Sequence, residues 1–193
     1  MSGITGTQTE QLYSLSSAVT KNTYTTEAAF TGVVGTNTVC KLQANFFNNN
    51  NPNPVGRSLY LHVEGSIANT AAATFAVNLG FDTTPGTKAN NVGIYTATAP
   101  TASVTAPWHC EVWITCQAFL TSTMTLQVNG FWEQEATASG GALGSGRLTS
   151  GFRSTLTGLD PRVDFYIELF GTWSASNAAN TTTVDQMLLF GLN

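Results

Sequence analysis

The sequence contains very few charged side chains. Only 9% of its 193 residues are Asp, Glu, Lys or Arg, against roughly 25% in ordinary soluble domains. With seven Lys and Arg residues and a net charge of −4, a surface that neutralises phosphates is hard to build. Neutral Thr, Ser, Asn, Gln and Gly must cover the surface, which suits a large assembly because each buried charge would carry a desolvation cost. We expect no nucleic-acid partner.

Long apolar runs are also missing. No stretch of about 18 apolar residues occurs, and residues 1–6 lack the basic and apolar segments of a secretory signal peptide. We therefore expect no membrane partner. The protein is expected to be made in the cytosol of a cell and to stay there until something else releases it.

Cysteine is scarce, with three residues in the chain. Cys110 and Cys116 fall on one predicted strand, about 20 Å apart at roughly 3.3 Å per residue, which is too far for a disulfide bond. Together with Cys40 they are predicted to be buried free thiols without a redox or metal-binding role.

The chain does contain repeated alternation of apolar and polar residues with a period of two, as in half-buried β-strands. Clusters of Asn, Pro, Gly and Ser separate these segments. The pattern predicts an all-β fold, a single antiparallel β-sandwich with the eight strands of a jelly roll, over residues 21–193. The clearest alternation covers residues 59–63, 75–81, 110–116, 124–128, 163–169 and 184–190.

Residues 1–20 are polar, with scattered apolar side chains that follow no clear period. We predict that they form an extended N-terminal arm that becomes ordered only against a partner. Its apolar residues Leu12, Tyr13 and Leu15 are the expected contacts to a neighbouring or underlying subunit.

Two His-x-Glu pairs are candidate metal ligands, because residues i and i+2 of a strand share a face. In both pairs, His62/Glu64 and His109/Glu111, the strand also carries an apolar set of residues on its other face. Both pairs should therefore point away from the core as solvated or interfacial side chains. We predict no bound metal and no other cofactor.

Other catalytic arrangements are equally hard to assemble. There are two His residues, and no Gly-x-Ser-x-Gly nucleophile motif occurs. A pair of carboxylates for glycoside cleavage needs two acids with an aromatic sugar platform nearby, whereas the simpler interpretation is that the acids occupy polar outward positions on strands. We predict that the protein is not an enzyme. The residues considered for this role are Glu133, Glu135, Asp164 and Glu168 as acids, with Trp132 or Trp173 as the platform.

Several large aromatic residues fall on the polar side of the alternation. Exposed aromatic patches usually mark contact surfaces, so we predict that these residues lie in subunit contacts of a homo-oligomer, expected to be a trimer. The alternative is that a loop of the same chain covers them. The predicted interface residues are Trp113, Phe119, Phe131, Tyr166 and Phe170.

Three passages of the sequence have a distinctive pattern. They are residues 59–66, residues 74–81 with a later strand that opens at Trp108, and residues 165–181, in which an apolar strand precedes Trp-Ser, small residues and Asn-Thr. These passages resemble the jelly-roll decoration proteins and related virion proteins of tailed bacteriophages. The resemblance covers roughly residues 55–193. It implies trimers seated on a capsid lattice, with the major capsid protein as partner.

The family's glycine-rich segment follows the Trp strand directly, whereas here it comes later, at residues 140–151. This difference leaves head and tail locations both open. The first functional hypothesis is a capsid decoration subunit that stabilises the capsid surface of a virion assembled in the host cytoplasm. The alternative is a receptor- or glycan-binding domain of a phage tail or fibre, using loops around Trp108 and Trp173.

Overall fold

A computed structural model describes residues 9–15, 17–22, 25–29, 39–48, 54–69, 73–98, 102–137 and 143–192. These residues form strands and turns, and no helix among them could cross a membrane. The strands are β1 (Thr9–Ser14), β2 (Val19–Asn22), β3 (Ala28–Ala29), β4 (Lys41–Leu42), β5 (Ser58–Asn69), β6 (Thr74–Asp82), β7 (Asn91–Thr98), β8 (Ala102–Phe119), β9 (Met124–Thr137), β10 (Leu143–Leu159), β11 (Phe165–Trp173) and β12 (Thr181–Leu192).

The strands form two antiparallel sheets. Within the described ranges, the large sheet has seven strands in the order β1-β12-β5-β8-β9-β10, with β2 also paired to β12. The small sheet has five in the order β3-β11-β6-β7, with β4 also paired to β11. Because β1 and β2 pair with different parts of β12, and β3 and β4 with different parts of β11, each couple occupies one strand position. Ten strand positions result among the described residues. Eight of them follow the order of a jelly roll, and the other two, β9 and β10, extend its large sheet. The predicted all-β sandwich is confirmed.

The hydrophobic core lies between the sheets and is built by the alternation read from the sequence. Leu189, Leu61 and Val112 lie side by side on β12, β5 and β8, and each is 0% exposed. The next residues along these strands point to the opposite face, because successive side chains of a strand alternate. One face of each central strand is therefore committed to the core, and the other is left for contacts outside it.

The three cysteines lie in this core as free thiols, as the sequence predicts. Cys110 and Cys116 are both on β8, and Cys40 precedes β4. Burial raises the pKa of the Cys40 and Cys110 thiols, with a smaller effect from a nearby carboxylate in each case. The thiolate form is thus disfavoured, which makes these side chains apolar packing groups at neutral pH.

The predicted N-terminal arm is wrong for the part of it that the structure describes. Residues 9–14 and 19–22 form β1 and β2 on the edge of the large sheet, and β2 crosses the predicted domain boundary at residue 20. Leu15 is buried in the core, and Leu12 and Tyr13 pack against it. The pairing of β1 with β12 shifts register between Gln11 and Tyr13, and this irregularity interrupts the period of two that would have revealed the strand.

Replacing Leu15 by alanine tests this correction. Because the side chain is 8% exposed within its own chain, the substitution should lower the free energy of unfolding by about 2 kcal/mol. Urea denaturation of the isolated protein measures this loss, with Leu120→Ala as the matched control because Leu120 is 68% exposed. If the segment were ordered only on a partner, the two variants would unfold at the same urea concentration.

Candidate functional site

The outer face of the small sheet is covered by the segment between β6 and β7. Glu168 of β11 accepts a hydrogen bond from the Gly86 amide at 2.7 Å, and Asp82 accepts one from the Ala89 amide at 2.7 Å. Lys88 of the same segment forms an ion pair with Glu27. These contacts fold the segment over β11, and the buried Glu168 is 1% exposed. Burial raises the pKa of its carboxyl, although the Gly86 hydrogen bond acts in the opposite direction.

Because this segment covers the sheet, the prediction that Phe170 is an exposed interface residue is wrong. Phe170 lies on the outer side of β11, as the alternation predicts, but it is 2% exposed. Its ring occupies the space over Gly80, where any side chain at position 80 would meet it, and the Cβ of Lys88 lies close by. For this residue the alternative interpretation, a loop of the same chain, is the correct one.

The outer face of the large sheet carries a row of aromatic rings in the part of the chain that the structure describes. Phe190, Tyr60 and Trp113 are direct neighbours on β12, β5 and β8. The ring centroid of Tyr60 lies 6.2 Å from that of Phe190 and 5.3 Å from that of Trp113. The centroids of Trp113 and Phe131 of β9 are 6.2 Å apart. Trp113 is 36% exposed and the other three rings are half-buried. We call these four residues the aromatic row.

Histidine and carboxylate side chains lie beside the aromatic row. The imidazole of His62 has Nε2 at 3.6 Å from Glu64 Oε2 and Nδ1 at 4.0 Å from Glu111 Oε1. Partial burial, and then the nearby Glu111 carboxylate, raise the pKa of the Tyr60 hydroxyl. His109 instead contacts the edge of Phe131, with ring centroids 5.7 Å apart. Both His-x-Glu pairs therefore lie on the outer face, as predicted.

The described ranges hold no group of three or more His, Cys, Asp or Glu residues arranged to bind a metal ion. The side chains present on this face offer stacking on rings and hydrogen bonding to imidazole, carboxylate and amide groups. Such a mixture can bind a ligand that has both apolar and polar surfaces.

An open groove of about 510 Å³ continues the aromatic row toward β10. Trp113 and Phe131 form its apolar walls, and Asn129 and Arg153 add an amide and a guanidinium group. Gly151 leaves its floor open, because a Cβ atom there would meet nothing closer than the Gly130 carbonyl oxygen at 4.0 Å. The volume is within the range of about 300–1,000 Å³ that is usual for small-ligand sites.

A second cavity on this side of the sheet, of about 360 Å³, is acidic. Four carboxylates, those of Glu64, Glu133, Glu135 and Asp185, line it around His109, and its described lining includes no Lys or Arg. Because His109 contacts Phe131, this cavity adjoins the far side of the aromatic row from Arg153. The charge of the outer face therefore changes sign along the strands.

Apolar side chains are also exposed at one end of the sandwich. Val55 and Leu120 are 46% and 68% exposed, and they line an open cavity of about 710 Å³ together with Phe119 and Arg162. Val163, next to Arg162, is 39% exposed. This end is separate from the aromatic row, since the two share none of the residues that line their cavities.

The predicted interface residues are thus divided among several environments. Trp113 and Phe131 come together on the open face, whereas Phe119 lies at the end of the sandwich and packs partly against the core. Tyr166 is half-buried on the small sheet. Whether any of these residues contacts another subunit stays a prediction, as does the homotrimer.

The tryptophans named as sugar or receptor platforms are buried. Trp132 and Trp173, considered for a glycosidase, are 0% and 1% exposed, and Trp108 is 2% exposed. The loops around Trp108 and Trp173 therefore cannot present these rings to a receptor.

Among the acids considered for glycoside cleavage, Asp164 accepts a hydrogen bond from the Ala44 amide and forms an ion pair with Lys41 at 2.6 Å. The pairing of Tyr60 with Trp113 was not predicted from the sequence. The pattern of a single strand does not show which residue of a neighbouring strand lies beside it.

Comparisons with known proteins give a weak likeness to a solved structure. No family model matches the chain, and no curated protein matches it. A solved structure, the CBM2 module of the evolved Dit of Lactobacillus casei BL23 phage J-1, shares 11% identity with a TM-score of 0.38, over 98% of each chain. A likeness of this strength transfers no function to this chain.

Proposed function

We propose that this chain is a non-enzymatic glycan-binding module of a tailed-phage virion, carried by a tail or fibre. The aromatic row is the observation that carries the proposal. It spans four adjacent strands of the large sheet with neighbouring centroids 5.3 to 6.2 Å apart. The phage context rests on the sequence resemblance alone.

A saccharide matches this face because a pyranose ring has an apolar C–H side and a rim of hydroxyl groups. The C–H bonds carry partial positive charge and are attracted to the electron-rich face of an aromatic ring. The hydroxyl rim needs hydrogen-bond partners, and Glu111, His62 and Asn129 supply them beside the rings. Trp and Tyr suit this role because they provide a rigid apolar surface at a small cost in conformational entropy.

A broad protein interface fits this face less well. Stable interfaces bury about 800 Å² on each partner around an apolar centre from which charged residues are largely excluded. Here carboxylates and imidazoles interrupt the apolar surface directly beside the rings, and Trp113 is the single large hydrophobic residue on this face that reaches 36% exposure within the described residues.

Capsid decoration remains a second candidate, supported by the exposed apolar end of the sandwich. Val55, Leu120 and Val163 are suitably placed to attach the chain to another virion protein. A homotrimer held at this end is compatible with glycan binding on the sheet face. The two functions still differ in what they predict: each names a different binding partner, and each names different residues whose substitution should weaken binding.

The test is a printed array of bacterial surface polysaccharides and oligosaccharides, probed with the fluorescently labelled full chain. We expect at least one saccharide to bind, and Tyr60→Ala to weaken that binding by about tenfold or more, since aromatic stacking and its buried area are lost together. Leu120→Ala is the matched control, because its side chain is exposed away from the row, and it should bind like the unmodified protein.

Two results would contradict the proposal. One is an array with no bound saccharide while the chain co-sediments with undecorated phage heads, which would favour capsid decoration. The other is saccharide binding that Tyr60→Ala leaves intact in a variant with unchanged thermal stability, which would place the binding site elsewhere on the chain.

A further inference from the structure

The groove next to the aromatic row has an arrangement of charge that distinguishes between classes of saccharide. Arg153 lies on β10 directly opposite Asn129 of β9, and both line the groove whose walls are Trp113 and Phe131. Within the described part of the chain, the ion pairs and hydrogen bonds found involve neither the Arg153 guanidinium nor the Asn129 side-chain amide. The groove thus presents two sets of donors that no described side chain engages.

The floor of the groove has room for a ring beside these donors. Gly151 faces Phe131 across the β9–β10 pair, and an added Cβ would meet only the Gly130 carbonyl oxygen at 4.0 Å. A pyranose can therefore lie against Phe131 and Trp113 while one of its substituents reaches the β10 side of the groove. Guanidinium is suited to a carboxylate in that position, because its donors form two parallel hydrogen bonds to the two oxygens.

The acidic cavity on the other side of Phe131 determines the direction in which such a ligand binds. Glu64, Glu133, Glu135 and Asp185 surround His109 there, and no Lys or Arg lies among its described lining residues. A second anionic group on the ligand would be repelled at that side, because like charges interact unfavourably at close range. A saccharide with its acidic unit at the Arg153 end avoids this repulsion.

We propose that the groove formed by Trp113, Asn129, Phe131, Gly151 and Arg153 binds a pyranose that carries one anionic substituent, with the anion held by Arg153 and Asn129. This inference rests on the proposed glycan-binding function and specifies its ligand class.

The experiment compares methyl β-D-glucuronide with methyl β-D-glucoside, two probes that differ only in whether carbon 6 is a carboxylate or a hydroxymethyl group. Binding to the full chain is measured by NMR titration, because single sugars bind weakly. We expect the glucuronide to bind about tenfold more tightly than the glucoside, a preference that added salt reduces. Glucose 6-phosphate serves as a third probe that separates recognition of carboxylate from recognition of any anion.

Two variants locate the effect. Arg153→Gln should abolish the preference, so that the glucuronide binds no more tightly than the glucoside, whereas Arg153→Lys should retain part of the preference as a point charge. Gly151→Leu should prevent both sugars from binding by filling the groove. Its matched control is Thr149→Leu, two residues earlier on the same side of β10 and outside the groove lining, and this variant should bind both sugars normally.

The outcomes separate this inference from the function on which it rests. Equal binding of glucuronide and glucoside, or a preference that survives Arg153→Gln, would overturn the anionic ligand class while leaving a glycan-binding module in place. If neither sugar binds and no saccharide on the polysaccharide array binds either, both the anionic ligand class and the glycan-binding function are wrong. Binding that Gly151→Leu does not alter would show that the sugar lies outside this groove.

Discussion

Replacing Trp132 by alanine should lower the free energy of unfolding by about 3–5 kcal/mol, a large part of the roughly 5–15 kcal/mol that stabilises an ordinary domain. Trp132 is 0% exposed between the sheets. Its ring stacks on Trp108 at 4.4 Å and on Tyr95 at 5.3 Å. Alanine would remove both contacts and leave a cavity that the rigid sheets cannot close.

A polar contact adds to this cost. The Trp132 indole Nε1 donates a hydrogen bond to Gln134 Oε1 at 3.2 Å, and the Gln134 side chain is 1% exposed with no hydrogen-bond partner for its Nε2 atom. After the substitution, both ends of this buried amide would lack the bonds they make in water. Leaving a buried polar group unsatisfied destabilises a protein by about 1–3 kcal/mol.

Urea denaturation with linear extrapolation measures the loss. The matched control is Trp113→Ala, which removes the same side chain from the outer face, where 36% of it is already exposed. We expect the control to lose about 1 kcal/mol or less. Equal losses in the two variants would mean that Trp132 does not occupy the core as described.

Replacing Gly65 by alanine should destabilise the fold by about 3 kcal/mol or more. Gly65 lies in the middle of β5, between β12 and β8. A Cβ atom at this position would overlap the backbone carbonyl oxygen of Thr183, and it would lie 3.0 Å from the Trp108 ring. Because the clash is with backbone, two central strands would have to move apart and their hydrogen bonds would lengthen.

The matched control is Gly151→Ala in the same sheet. Its new Cβ atom meets only a carbonyl oxygen at 4.0 Å, so its stability should stay within about 0.5 kcal/mol of the unmodified protein. Thermal unfolding followed by circular dichroism compares the two, and the fraction of soluble protein provides a second measurement if Gly65→Ala fails to fold. A Gly65→Ala protein as stable as Gly151→Ala would contradict the close approach of β5 and β12.

The sequence predicted the central strands because their position and the direction of their side chains depend on the local alternation of apolar and polar residues. Leu61, Val112 and Leu189 alternate with polar residues, and in a strand this alternation decides which side chains share a face. The same rule placed both His-x-Glu pairs on the outer face and the cysteines in the core. These features needed no knowledge of which strands are neighbours.

Two edge segments could not be read in this way. In β1 the register shift between Gln11 and Tyr13 breaks the alternation, so the sequence predicts an extended arm where the structure has a strand. In β10, which spans Leu143–Leu159, glycine and hydroxyl residues dominate, so the sequence has no clear alternation that would predict this strand. Edge strands pair on one side only, and they bury fewer apolar side chains, so their hydrophobic pattern is weak.

The sequence by itself determined that Trp113, Phe131 and Phe170 all point away from the core. Only the tertiary structure decided that Phe170 is covered by the β6–β7 segment, whereas Trp113 and Phe131 remain beside an open groove. The physical reason is that strand periodicity is set by each residue's immediate neighbours. What lies over the outer face depends on contacts between residues far apart in the chain, such as Gly86 with Glu168 and Tyr60 with Trp113.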